Sequence, residues 1–469
     1  LQKKIIDRKK MNTKLLTLPL ILMLFSTGLA QTGHRIHIKM PTNQETSFFL
    51  AHYHGDKTYL IDTSNYIAGE ALFTKAEPLP QGIYILANSK KEKLAEFLVG
   101  GQQNFSIVFP PDFNPSQTQV SGSIENILFF EHLGRLSSTM ATLQELSKKA
   151  DSLQKNDPQY ETVQAQIKAV QEAADAYRDR LITENEGMLI SAILKAMKEP
   201  TIPDSLRNNR EMAFRFYKKN YWNYFNLSDD RLIRTPILPR KLQEYMDKLV
   251  SPSPDSIIAA IDDLMARASG SEEITNYLAW HFLSEYQQPK LMGLDKAFVH
   301  VADNYFLKGK VSGLTLSVRE KIQERADRIR PTLLGNIAPD MWLIDTNGAY
   351  RSFKELKSDY IVIVFWDHTC NHCKNEMEEL FKLYTNKTTD FLVYAVNTTN
   401  DFDGWKHYIN EKQYPWLHVN GTKSFTPDFH QLYDIYSVPV IYILNKERKI
   451  IGKRISAQFI EQIINSSDI

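Results

Sequence analysis

Residues 360–374 read YIVIVFWDHTCNHCK, and this stretch decides the fold of the last third of the chain. Residues 360–365 are a continuous apolar, β-branched run, the pattern of a strand buried on both faces. Cys370-Asn371-His372-Cys373 follows, and residues 374–384 then read as a helix. A cysteine at a helix start lies near unpaired amide N–H groups and the positive end of the dipole, which lowers its pKa and populates thiolate. A second cysteine one turn on can attack a mixed disulfide and release the product. His372, between the two, can give the thiolate a hydrogen bond or a positive charge, which makes it the candidate tuning residue.

Other chemistries fit this stretch less well. His368, Cys370, His372 and Cys373 could be ligands to zinc or copper, but their crowding on one turn works against closed tetrahedral geometry. An inert disulfide over so short a loop would stabilise little. These are the chain's only two cysteines, which excludes a multi-disulfide scaffold and a Cys-only zinc finger. Redox catalysis by Cys370 and Cys373 is the reading that remains, with no resident metal.

Working outward, residues 391–396 form a second buried strand, and residues 441–444, after Val438-Pro439-Val440, a third. A turn at residues 445–449 leads into Ile450 and Ile451. Strand, helix, strand and hairpin make an α/β unit over residues 331–469. The change of pattern near Pro331 predicts that this unit folds independently.

These motifs resemble a TlpA-like thiol–disulfide oxidoreductase domain of the thioredoxin superfamily. Gly335-Asn336-Ile337-Ala338-Pro339-Asp340 is similar to the family's entry motif, and Phe365-Trp366 before the cysteines to its active-site strand. Val438-Pro439 is similar to its cis-proline loop. The resemblance implies that Cys370 is the nucleophile and Cys373 the resolving thiol. It implies that Pro439 and Val438 shape the substrate groove, with the backbone of Val438 pairing with substrate, and that Trp366 packs nearby. It further implies substrate proteins with thiols or disulfides, a membrane dithiol as electron donor, and no cofactor beyond the cysteine pair. There are departures from the pattern. Val364 stands where many thioredoxins bury an acid, Thr369 where a tryptophan is usual, and Glu378 where a proline is usual. The acid nearest the end of the following strand is Asp401, the candidate proton acceptor.

Upstream, residues 31–122 alternate apolar and polar positions between Gly, Asn, Asp and Pro punctuation, as an antiparallel β-sandwich or barrel does. His52 and His54 share a strand face there, more simply as polar strand residues than as metal ligands. Residues 123–330 carry helical spacing broken by prolines. The aromatic stretch 214–225 reads as helix core in preference to a peptide groove. Together the two segments resemble the uncharacterised N-terminal domains of exported Bacteroidetes proteins, most clearly over residues 221–245. The expected fold is multidomain α+β: β-sandwich, all-α domain, then thioredoxin-like α/β domain.

Residues 11–30, MNTKLLTLPLILMLFSTGLA, have the basic start, short apolar stretch and small residues of a secretory signal peptide, cut near Ala30. The ten residues before Met11 either extend the basic region or precede the true start. The expected location is the periplasm or cell envelope. Lys plus Arg is 56 against 55 Asp plus Glu, which excludes global polycationic binding, and no nucleic-acid partner is expected. The expected function is an exported thiol–disulfide oxidoreductase, reductase or isomerase rather than oxidase. The rival is an envelope binding protein or redox sensor whose last domain is not a turnover catalyst.

Overall fold

The computed structural model describes residues 33–40 and 45–467. The signal peptide expected over residues 1–30 lies outside the described residues. Among the described residues eight strands come first: β1 (His34–Lys39), β2 (Ser47–His54), β3 (Lys57–Asn65), β4 (Glu70–Lys75), β5 (Gly82–Ala87), β6 (Lys93–Val99), β7 (Asn104–Val108) and β8 (Gln119–Ser121). They form two four-stranded sheets, ordered β4-β1-β7-β8 and β3-β2-β5-β6. Alternation works as the sequence suggests: Ile36 and Ile38 of β1 are fully buried, while Arg35 of the same strand is exposed. One pair departs from the antiparallel expectation, since β1 and β7 run parallel. Much of the chain between them passes through the other sheet, which provides the long crossover a parallel pair requires.

Two long helices, Ile124–Asp151 and Pro158–Glu184, come next, followed by shorter ones ending with Leu316–Ile329. Ser123 caps the first, accepting from the Asn126 amide. Pro158 and Pro254 occupy first helical turns, where the missing N–H has no intrahelical partner to lose. Tyr221, Trp222 and Phe225 are buried, and Tyr221 stacks on Tyr245, so this part of the aromatic stretch is core. Phe214, at its start, is exposed.

One continuous apolar core runs from the sandwich into the helices. At the join, the buried Asn126 side chain satisfies both backbone groups of Leu98. It accepts from the Leu98 amide at 2.8 Å and donates to the Leu98 carbonyl at 2.7 Å. A helix thereby covers the edge of β6.

The last seven strands are β9 (Trp342–Asp345), β10 (Tyr350–Ser352), β11 (Ile361–Trp366), β12 (Leu392–Asn397), β13 (Leu417–Ser424), β14 (Val440–Leu444) and β15 (Ile450–Lys453). They form one sheet in the order β10-β9-β13-β12-β11-β14-β15. β11, β12 and β13 are parallel neighbours, and β14 returns antiparallel beside β11. All six residues of β11 are buried because both faces of the sheet are covered. Ile361, Ile363 and Phe365 enter one core with Tyr433 and Tyr442. Val362, Val364 and Trp366 enter the other, with Cys373 and Met377 of the helix Asn371–Thr385 and Trp405 of the helix Phe402–Lys412.

Candidate active site

The site is built at the carboxyl ends of β11, β12 and β13, where an open α/β sheet places its reactive groups. β11 ends at Trp366, and the chain turns through Asp367, His368 and Thr369 into the helix Asn371–Thr385. The Asp367 carboxylate accepts from the Thr369 amide at 2.7 Å and the Thr369 hydroxyl at 2.8 Å. The Cys370 amide donates to the Asp367 carbonyl at 3.2 Å. This tight turn leaves Cys370 as the N-cap residue, half-buried, and puts Cys373 inside the first helical turn, fully buried.

The two thiols therefore differ in chemistry. The Cys370 thiol is held below its ordinary value, chiefly by the Cys373 amide and further by that of His372, against partial burial and the Asp367 carboxylate. The Cys373 thiol is pushed up to about 12, chiefly by burial. Sequence reasoning placed the tuning in the helix-start N–H groups and in the His372 imidazole. In the structure that ring is exposed, and the backbone N–H of His372 acts on the sulfur.

The antiparallel register sets Val440 of β14 opposite Phe365 of β11. One step further along the register puts Pro439 across from Trp366, beside the turn that carries the dithiol. The Val438–Pro439 peptide is cis, as the resemblance implied. Trp366 and Cys373 belong to one apolar cluster, and Cys370 and Val438 pack against it. Trp366, both cysteines and Val438 are thus brought together.

Asp401 is placed differently. It is an exposed helix cap that accepts from the Gly404 amide at 3.0 Å and faces His368 Nε2 at 3.3 Å. The Gly404 amide, and after it His368, hold its carboxyl below the usual range. The other side of the His368 ring approaches Asn397 Nδ2 at 3.3 Å and Thr399 Oγ1 at 3.4 Å. Asn420 on β13 extends this chain, donating to Asn397 Oδ1 at 3.3 Å. His368 is buried, as are Asn397 and Asn420. The network ties the turn before Cys370 to β12 and, beyond it, to β13. It was missed because its members are far apart in sequence, and His368 alone read only as a metal ligand.

Asp367 was also missed. The family pattern directs attention to position 364, where Val364 is fully buried core, and to the acids beyond β12. Asp367 is the acid whose charge acts on both sulfurs, raising each. Asp367→Asn keeps an acceptor for Thr369 and removes that charge. It is expected to raise the Cys370 alkylation rate at pH 6 about two- to threefold, as stopped-time mass mapping would read. An unchanged rate would mean that solvent screens Asp367 from the thiols.

Among the described residues, no three or more His, Cys, Asp or Glu side chains gather so as to hold a metal ion. His52 Nδ1 lies 2.5 Å from the Tyr53 carbonyl, and His54 faces Glu273 at 3.9 Å.

A dithiol of unequal acidity at a helix start, with a cis-proline loop across the register, defines a thioredoxin-fold thiol–disulfide oxidoreductase domain. Comparison with known proteins agrees. Residues 334–452 match the AhpC/TSA family, and residues 146–330 match a domain of unknown function, DUF5106. Residues 334–452 are thus a thioredoxin-like domain, and the relatives it matches are named thiol–disulfide oxidoreductases. It is similar to the thiol-disulfide oxidoreductase ResA of Bacillus cereus, 24% identical over 135 residues, which is 28% of this chain and 74% of that protein. A crystal structure of a domain of a "possible thiol-disulfide isomerase" from Cytophaga hutchinsonii is 35% identical. It covers 29% of this chain and 93% of its own, with a TM-score of 0.27. A thioredoxin-like protein from Bacteroides caccae is 21% identical, covering 57% of this chain and 98% of its own, with a TM-score of 0.45.

Proposed function

We propose that the protein is an exported protein-disulfide reductase or isomerase working through Cys370 and Cys373. The observation that carries this reading is the unequal dithiol: an accessible, acidified Cys370 above a buried Cys373 held protonated. The Cys370 thiolate attacks one sulfur of a substrate disulfide. The substrate S–S bond breaks, its other sulfur leaves and takes up a proton, and a mixed disulfide forms. Cys373 then gives up its proton and attacks the Cys370 sulfur. The mixed disulfide breaks, the second substrate sulfur leaves and takes up a proton, and a Cys370–Cys373 disulfide forms, so that two electrons have passed from the protein to the substrate. No cofactor enters these steps. The next turnover needs a dithiol donor, supplied in an exported compartment across the membrane.

Val438 and Pro439 form the wall against which the substrate chain lies. The basic and apolar pattern of residues 11–30 supports export to the periplasm or cell envelope. Among the described residues no helix is long and apolar enough to cross a membrane.

Insulin reduction with dithiothreitol as electron source tests the reading. Turnover is expected from the wild type and its loss from Cys370→Ser. An inert wild type that holds a partner stably would favour the binding protein or redox sensor instead.

A further inference from the structure

The loop that leads into Pro439 is held from outside its own domain. It starts at Tyr433, fully buried, whose hydroxyl donates to the Pro339 carbonyl at 2.6 Å. Asp434 follows at φ +54°, with its side chain 4% exposed. Its carboxylate pairs with Arg454 Nη2 at 3.0 Å, after β15, and with Arg325, on the helix Leu316–Ile329 of the helical domain. Arg454 Nη2 also donates to the Asp434 carbonyl at 2.6 Å. Two residues on, the Tyr436 hydroxyl accepts from Arg328 Nη1 at 2.7 Å, and the Arg325 guanidinium lies 5.3 Å from the centre of the Tyr436 ring. Tyr436 nonetheless remains 61% exposed. Val438 is the next residue but one.

Mere attachment between domains would not need an exposed aromatic ring pinned by two arginines beside the substrate wall. A buried carboxylate shared by two guanidiniums fixes the loop's base, and the helix Leu316–Ile329 fixes its tip. A loop already in its bound form loses less freedom when a chain docks on it. A rigid tyrosine is a large contact surface at low entropic cost.

We propose that the helical domain of unknown function is a positioning element of the active site. Arg325 and Arg328 hold residues 434–438 ready for substrate, and Tyr436 is the aromatic contact for a polypeptide substrate. This rests on the thiol–disulfide reading above. The contact serves binding of an extended polypeptide and not the exchange chemistry.

The test uses the full chain with Arg325→Gln/Arg328→Gln, and separately Tyr436→Ala, whose exposed side chain leaves the fold intact if the double variant does not fold. KM for insulin is expected to rise about fivefold or more in both, with kcat retained. The rate of Cys370 alkylation should stay at the wild-type value, and Arg328→Lys should keep most of the wild-type KM. A lowered melting temperature with unchanged KM for insulin would overturn the proposal and leave the arginines as interdomain ties. A wild type that does not turn over insulin would overturn the enzymatic reading, and the proposal with it.

Discussion

Brief iodoacetamide treatment of the reduced protein at neutral pH is expected to label Cys370 and leave Cys373 unmodified. A thiol at about 12 is ionised in roughly 1 part in 10⁵ at pH 7, an ordinary thiol of about 8.5 in roughly 1 part in 30. The more basic thiolate is the better nucleophile, which returns a factor of about 40 at a Brønsted slope near 0.45. The net preference for Cys370 is therefore about two orders of magnitude, before the full burial of Cys373 is counted. The pH profile follows from the sign of the shift. Labelling of Cys370 should rise with pH and level off at a midpoint below that of free cysteine, because the helix amides lower its pKa. Preferential labelling of Cys373 would exchange the two roles.

Asp295→Ala is expected to destabilise the protein by about 3–5 kcal/mol, the effect of leaving a buried charge without its partner. Lys453 on β15 is 4% exposed at its side chain. It donates to the Asp295 carboxylate of the helix Asp295–Val301 and to the Thr332 carbonyl at 2.8 Å. Burial pushes the Lys453 pKa down, and Asp295 opposes that shift. Without Asp295 the folded state disfavours the ammonium more strongly. The loss should be largest at neutral pH and shrink as pH rises toward the unfolded lysine value near 10.4. Urea melts of Asp295→Ala at pH 7 and pH 9.5 would read this. The double variant Asp295→Leu/Lys453→Met should recover most of the stability. A single variant within about 1 kcal/mol of the wild type would mean that water reaches Lys453.

This pair and the Asp434 cluster bear on the sequence expectation that residues 331–469 fold as a unit. The seven-stranded sheet has its own two cores, as the change of pattern near Pro331 suggests. Two of its buried charges are nevertheless satisfied from the helical domain. Nothing local distinguishes Lys453 or Asp434 from surface residues, because charge pairing over more than a hundred positions has no periodicity to read.

What sequence alone determined is what depends on neighbours in the chain. The continuous run of β11 specified a strand covered on both faces, and the step from Cys370 to Cys373 specified two thiols one helical turn apart. Alternation in β1 and β2 specified sheets, though not the parallel pairing of β1 with β7, which topology sets. Tertiary structure decided the rest. It made the amides of Cys373 and His372 the groups that acidify Cys370, and it left the His372 ring exposed. It made Asp401 a helix cap facing His368. It brought Arg325 and Arg328 to the loop before Pro439, since packing of the helix Leu316–Ile329 against that loop, and not chain order, places their charges there.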